Sequence, residues 1–145
     1  MRAVIQRVKE TALYVDGKLI SSIDKGLVIY LGVAVGDNSD AIPYLAKKIA
    51  NMRIFEDESG KMNLSVLDTG GEILSVSQFT LYGDATHGNR PSFSNAERPE
   101  RAKSLYDEFC EALSAQGVTV KKGVFGADMQ ISQHNDGPVT IIIEK

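Results

Sequence analysis

The chain has 145 residues, 43% of them hydrophobic, a formal net charge of −3 and one cysteine. That length supports one core rather than two, so residues 1–145 are expected to form a single domain. The acidic balance excludes polyanion binding through bulk charge, so an RNA partner would need a local basic surface. The lone Cys110 excludes an internal disulfide and a cysteine metal cluster.

No apolar run reaches the roughly 20 residues of a spanning helix, and charges interrupt the apolar residues of Met1–Arg7. A soluble, cytoplasmic chain is expected.

Ala3–Val8 and Ala12–Val15 read as strands, and the second meets Lys18–Ile23 across Asp16-Gly17, a pair suited to a type I′ hairpin turn. Leu27–Val35 is almost continuously apolar and β-branched, the pattern of a central strand buried on both faces. Ile42, Leu45, Ile49 and Met52 then recur at helical spacing, with Pro43 in the first turn, where its missing N–H costs little. Arg53–Phe55 reads as a short strand before the turn Glu56–Gly60, and Asp68–Gly71 marks another turn before a strand over Glu72–Thr80.

Gly83–Ser92 is a surface loop rich in Gly, Asn, Asp and Pro. A second helix is predicted from about Glu97 to Gln116, with Ala102, Leu105, Tyr106, Phe109, Ala112 and Leu113 on one face and Cys110 as a packed thiol. Strands at Val118–Lys122, Met129–His134 and Val139–Glu144 close the chain. The fold class that follows is α+β: a mostly antiparallel, curled, barrel-like sheet with two main helices and without the βαβ alternation of a doubly wound sheet.

Several chemistries lack their sequence cues. Gly70-Gly71-Glu72 has neither phosphate-loop spacing. His87 and His134 have no further ligand at metal-binding spacing, and no GxSxG elbow is present. Ser77-Gln78-Phe79-Thr80-Leu81 places more polar groups on one strand than alternation can send outward. Those groups either face a cleft or are satisfied by backbone at a strand end. Thr80 has no evident base to activate it. Asn135-Asp136-Gly137-Pro138 is a turn signal between two strands, and a cis Gly-Pro bond there would turn neighbouring carbonyls outward together as acceptors for an ammonium group.

These two segments, with Met1–Val8, Arg53–Asp57, Lys61–Asn63, Arg90–Phe93 and Phe125–Met129 in the same order, resemble the D-aminoacyl-tRNA deacylase family over essentially the whole chain. The resemblance implies a homodimer without metal or cofactor, its two sites at the subunit interface. The substrates it implies are D-aminoacyl-tRNA and Gly-tRNA(Ala). Ser77, Gln78, Phe79 and Thr80 would line the scissile ester. A cis Gly137-Pro138 from the partner would hold the α-ammonium, with Phe125 and Met129 nearby and Arg7 supporting the Gly-Pro segment. His134 departs from the family pattern and reads as a strand-end residue. Thr86–Asn89 form a loop that is often more basic in the family. Two other readings are a deacylase for L-amino acids mischarged on tRNA and a non-catalytic tRNA-binding module.

Overall fold

In a computed structural model describing residues 1–145, the first strand, β1 (Arg2–Val15), is a single 14-residue element rather than two strands. Lys9 and Glu10, between the two expected strands, are exposed, and Lys9 is passed over by a register shift while Glu10 still pairs with His134. β1 turns at Asp16-Gly17, both with positive φ as a type I′ turn requires, into β2 (Lys18–Ile23). β3 (Gly26–Gly32) continues the same antiparallel register, Thr11 standing opposite Ile23 and Val8 opposite Gly26. It is buried on both faces as expected, but ends at Gly32.

After a short 3-10 turn capped by the Asn38 side chain comes α1 (Ile42–Ala50), with Pro43 in its first turn. A small ribbon of β4 (Phe55–Glu56) and β5 (Met62–Leu64) follows, β5 being an element the sequence pattern does not reveal. β6 (Glu72–Ser77) is shorter than the predicted strand, and α2 (Pro99–Ser114) begins two residues later than expected. β7 (Thr119–Lys122) and β8 (Gln130–Glu144) end the chain.

The sheet runs β2-β1-β3-β6-β7, with β8 antiparallel to β1. β3–β6 and β6–β7 are parallel, so the sheet is mixed. Each parallel pair needs a long crossover, and α1 and α2 supply them. Two βαβ units are therefore present, contrary to the sequence reading, with both helices packed on one core. Ser21 Oγ donates to the Lys122 carbonyl (2.7 Å) and Lys121 Nζ to the Ser22 carbonyl (2.7 Å), drawing β2 toward β7 and nearly closing a barrel.

Alternation sorts the core. Ala3, Ile5, Leu27, Ile29, Leu31 and Ile73 pack against Leu45 and Ile49 of α1 and Leu105, Phe109 and Leu113 of α2. Val8, Leu13, Ile23, Val28, Leu74 and Val76 form a second cluster on the other side of the sheet. Cys110 is buried, and burial pushes its thiol pKa up, consistent with an inert packed side chain. No helix is long and apolar enough to cross a membrane.

The largest departure from the sequence reading is β8, expected as two strands joined by a turn at Asn135–Pro138. Gln6 faces Thr140 and Val8 faces Asn135, so Asp136–Val139 arch out opposite Arg7 alone while the strand continues on both sides. Local turn chemistry is present, but pairing with β1 at both ends converts it into a bulge.

The tightest backbone approach is at Gly26, where an added Cβ would lie 1.9 Å from the Glu72 carbonyl oxygen. Gly26→Ala must push β6 away from β3 and is expected to cost at least the 1–3 kcal/mol typical of overpacking. Urea unfolding of the purified variant measures it; an unchanged midpoint would contradict this packing.

Candidate active site

β6 carries Ser77 to the end of the sheet, where the Gln78 amide donates to the Leu31 carbonyl (2.8 Å). The chain then leaves the strand, and Phe79–Tyr82 form a 3-10 turn. As its first residues, Phe79 and Thr80 have amide N–H groups with no acceptor inside the turn. The expected polar conflict on a strand is thus resolved by ending the strand. Ser77 and Gln78 are half-buried, Phe79 and Thr80 are exposed, and the Gln78 amide group contacts Thr80 Oγ1.

This segment borders a cleft of about 680 Å³ at the ends of β3 and β6 and the start of α2. Ser77, Gln78, Phe79, Phe125 and Met129 all line it, so five of the predicted site residues converge. Met129 is seated by Gly123, where an added Cβ would stand 2.7 Å from the Met129 sulfur. Phe125 lies 6.1 Å, centroid to centroid, from the ring of Tyr106. The Tyr106 hydroxyl donates to the Ser75 carbonyl (2.8 Å), and burial pushes its pKa far up, leaving a neutral phenol under the cleft wall.

Arg7, Gly137 and Pro138 lie elsewhere. The Gly137–Pro138 bond is cis, and both residues are exposed on the β8 arch. Arg7 is 4% exposed and holds the arch from beneath: Nε donates to the Asp136 carbonyl (3.2 Å) and lies 3.1 Å from its carboxylate. Its NH1 donates to the Ile54 carbonyl (2.6 Å), so the buried charge is paired and hydrogen-bonded. Gly137 has φ +125°, and a Cβ there would come within 2.9 Å of the Val139 nitrogen, a position only glycine fits.

Along the paired strands the arch shares a row with Arg7, Leu27 and Ile73, whereas the cleft lies at Leu31 and Ser77. On β8 itself the last residue to line the cleft is Ile131, six positions before Gly137, and none of Arg7, Gly137 and Pro138 lines it. Within one chain, arch and cleft are separate.

The predicted set omits Phe93, Arg98, Tyr106 and Asp128, all of which line the cleft. A phenylalanine in an otherwise polar loop was the available signal for Phe93, while Tyr106 sits among core positions of a helix and carries no such signal. His134 is in mid-strand rather than at a strand end, exposed, with Nδ1 3.9 Å from Glu10. It lines a separate polar cleft with Thr11 and Gln133.

The family model described as D-Tyr-tRNA(Tyr) deacylase matches residues 4–144. The D-aminoacyl-tRNA deacylase of Fervidobacterium nodosum is 54% identical over 144 residues, 99% of this chain and 97% of the relative. That of Thermus aquaticus is 56% identical over 99% of this chain and 95% of the relative. A solved structure described as c-Myc DNA Unwinding Element Binding Protein superimposes with TM-score 0.93 at 43% identity, covering 100% of this chain and 99% of the other. A probable eukaryotic D-amino acid tRNA deacylase shares the fold with TM-score 0.85 at 18% identity, over 98% and 97% of the two chains. With its strand-end cleft and near-complete match to these relatives, the chain belongs to the D-Tyr-tRNA(Tyr) deacylase family and is an enzyme that hydrolyses D-aminoacyl-tRNA.

Proposed function

We propose that the active site is shared between two subunits of a homodimer, the cleft of one facing the Gly137-Pro138 arch of the other. The observation that carries this reading is the separation of arch and cleft within one chain, although each is built in detail. The β8–β1–β3 surface turned away from the helices supports the dimer. It holds Val4, Gln6, Tyr30 and Thr140 around Ile142, which is 65% exposed, a composition suited to burial against a second copy.

In this reading the Gly137 and Pro138 carbonyls accept hydrogen bonds from the substrate's α-ammonium. The Phe79 and Thr80 amides donate to the ester oxygen as it gains charge, and Ser77 and Gln78 complete the wall. An aminoacyl ester is already activated, so holding it and placing a water, with help from the vicinal 2′-hydroxyl of the ribose, supplies the catalysis. Phe125 and Met129 pack beside the bound amino acid. The physiological substrates are D-aminoacyl-tRNA and Gly-tRNA(Ala), which places the enzyme in the cytoplasm as a chiral proofreader of translation.

Pinning ammonium and ester leaves the α-carbon two positions, hydrogen and side chain. One enantiomer sends its side chain to solvent; the other drives it into the backbone of the arch, which no rotamer change relieves. D-Tyr-, D-Phe-, D-Asp- and Gly-tRNA should therefore all be cleaved, and L-aminoacyl-tRNA left intact. Single-turnover deacylation of matched substrates is the test. Cleavage of L-Tyr-tRNA within about tenfold of D-Tyr-tRNA, only about 1.4 kcal/mol of discrimination, would refute the reading.

Subunit sharing can be checked by mixing. Gly137→Ala displaces the arch. Phe79→Pro removes one amide donor, and Gln78 before it (φ −143°, ψ 84°) lies outside the helical region that a following proline disfavours. Each variant alone should lose about 10²–10³ in kcat. Co-refolded in equal amounts they should recover about a quarter of wild-type activity, because half the dimers are mixed and each has one intact site. No recovery, or a fully active monomer by light scattering, would contradict the shared site.

Thr80→Ala should retain most activity, since the exposed hydroxyl contacts only the Gln78 side chain and no histidine stands beside it. A trapped aminoacyl adduct on Thr80 would show the opposite.

A further inference from the structure

We propose that Gln6, Gln133 and Thr140 are positioning residues for chiral discrimination: a relay of side-chain hydrogen bonds on one face of the sheet clamps both feet of the arch that carries Gly137-Pro138. The inference rests on the reading above, in which the arch holds the α-ammonium.

The arch leaves β8 after Asn135 and rejoins it at Thr140, the residues paired with Val8 and Gln6. Between these feet, Asp136–Val139 stand opposite Arg7 alone. Side chains alternate along a strand, so Arg7 and Gln6 leave β1 on opposite faces. Arg7 grips the near side of the arch from the first face, through the carbonyl and carboxylate of Asp136. Gln6 works from the second face, and there the two feet are joined to each other.

Gln6 Nε2 donates to Thr140 Oγ1 (3.2 Å) at the far foot. Its Oε1 accepts from Gln133 Nε2 (2.8 Å), and the same Gln133 amide donates to Asn135 Oδ1 at the near foot. The Tyr30 hydroxyl, from β3, completes the relay by donating to Gln133 Oε1 (3.1 Å). Both N–H groups and the oxygen of the Gln133 amide are thus committed, so its neighbours hold it in one orientation. Burial pushes the Tyr30 pKa up, which keeps its phenol neutral and donating. Hydrogen bonds running head to tail from Tyr30 through Gln133 and Gln6 to Thr140 polarise one another, and the relay acts as a unit.

This face is the one read above as the dimer surface. The relay residues are half-buried or exposed in the single chain, and a second copy covering them removes the water that competes for each bond. A fully paired polar network stiffens when it is desolvated. The contact that brings an arch to the partner's cleft therefore also fixes that arch.

Rejection of an L side chain depends on backbone that does not yield. Glycine and proline offer no polar side chain at the tip, so the tip is only as firm as its feet. A displacement of about an ångström is enough to change the outcome at such a site.

The experiment uses the homodimer, at concentrations where light scattering shows no monomer, in single-turnover deacylation of D-Tyr-, L-Tyr- and Gly-tRNA. Thr140→Val keeps the shape of an exposed side chain and removes the acceptor at the far foot, while Gln133→Leu removes the hub. Each should raise cleavage of L-Tyr-tRNA relative to D-Tyr-tRNA at least tenfold, with D-Tyr- and Gly-tRNA changed in equal proportion. Thr140→Ser, which keeps the hydroxyl, should keep the wild-type ratio. The double variant should relax the ratio no further than Gln133→Leu alone, because both changes lie in one relay.

A common loss on all three substrates at an unchanged ratio would overturn the proposal, since the relay would then support only the fold or the dimer. An unchanged ratio with unchanged rates would overturn it as well. If Gln133→Leu does not fold, Thr140→Val and Thr140→Ser decide the matter between them. Wild type is the control for the arch: cleavage of L-Tyr-tRNA as fast as D-Tyr-tRNA would sink the reading beneath the proposal, and the proposal with it, whatever the variants do.

Discussion

Pairing along β1 is the constraint from which the other parts of the molecule take their positions. Its first half is hydrogen-bonded to β3, its second half to β2, and nearly its whole length to β8. Fourteen residues thus set the register of three other strands, and through β3 that of β6 as well. Arg7 sits in the middle of this strand and turns its side chain under the β8 arch. A single strand therefore aligns the core, supports the arch and, through β3 and β6, fixes the height at which the cleft opens.

The cleft depends on how β6 ends. Leu31 accepts the Gln78 amide as the last bond of the sheet, and the chain then coils into a 3-10 turn that lifts Phe79 and Thr80 out of the strand plane. Behind the same strand, Tyr106 binds the Ser75 carbonyl, so the wall of the site and the packing of α2 share one short segment. Catalysis by positioned amides needs such support, because donors only an ångström out of place lose most of their effect.

Local signals made some of the fold legible in the sequence. Asp16-Gly17 marks the hairpin, the continuous apolar run marks the two-faced β3, and Pro43 marks the start of α1, since each depends on neighbours within a few residues. The unity of β1 and of β8 was not legible, because it is decided by pairing between residues more than a hundred positions apart. The parallel neighbours of β6 were hidden for the same reason: strand order is set by where α1 and α2 find core to cover. Of the site, the Ser77–Thr80 and Gly137-Pro138 segments stood out by composition and resemblance, as did Phe125 and Met129. Their division between cleft and arch, and the place of Phe93 on the rim, appear only when the sheet is assembled.

The arch is also quantised in length. Across the arch, from Gln6–Thr140 to Val8–Asn135, β1 advances two residues and β8 five; from there to Glu10–His134 β1 advances two and β8 one, so the extra residue at Lys9 brings the net excess back to two. Because side chains alternate with period two, Gln130–His134 and Thr140–Glu144 remain in phase with β1 on both sides of the interruption. One residue more or fewer would turn half of β8 inside out, exposing apolar side chains and burying polar ones. A change in the length of this segment therefore keeps the alternation only in steps of two, or when a change in β1 matches it. Reading frame along the strand, as much as the chemistry at the tip, limits how this loop can evolve.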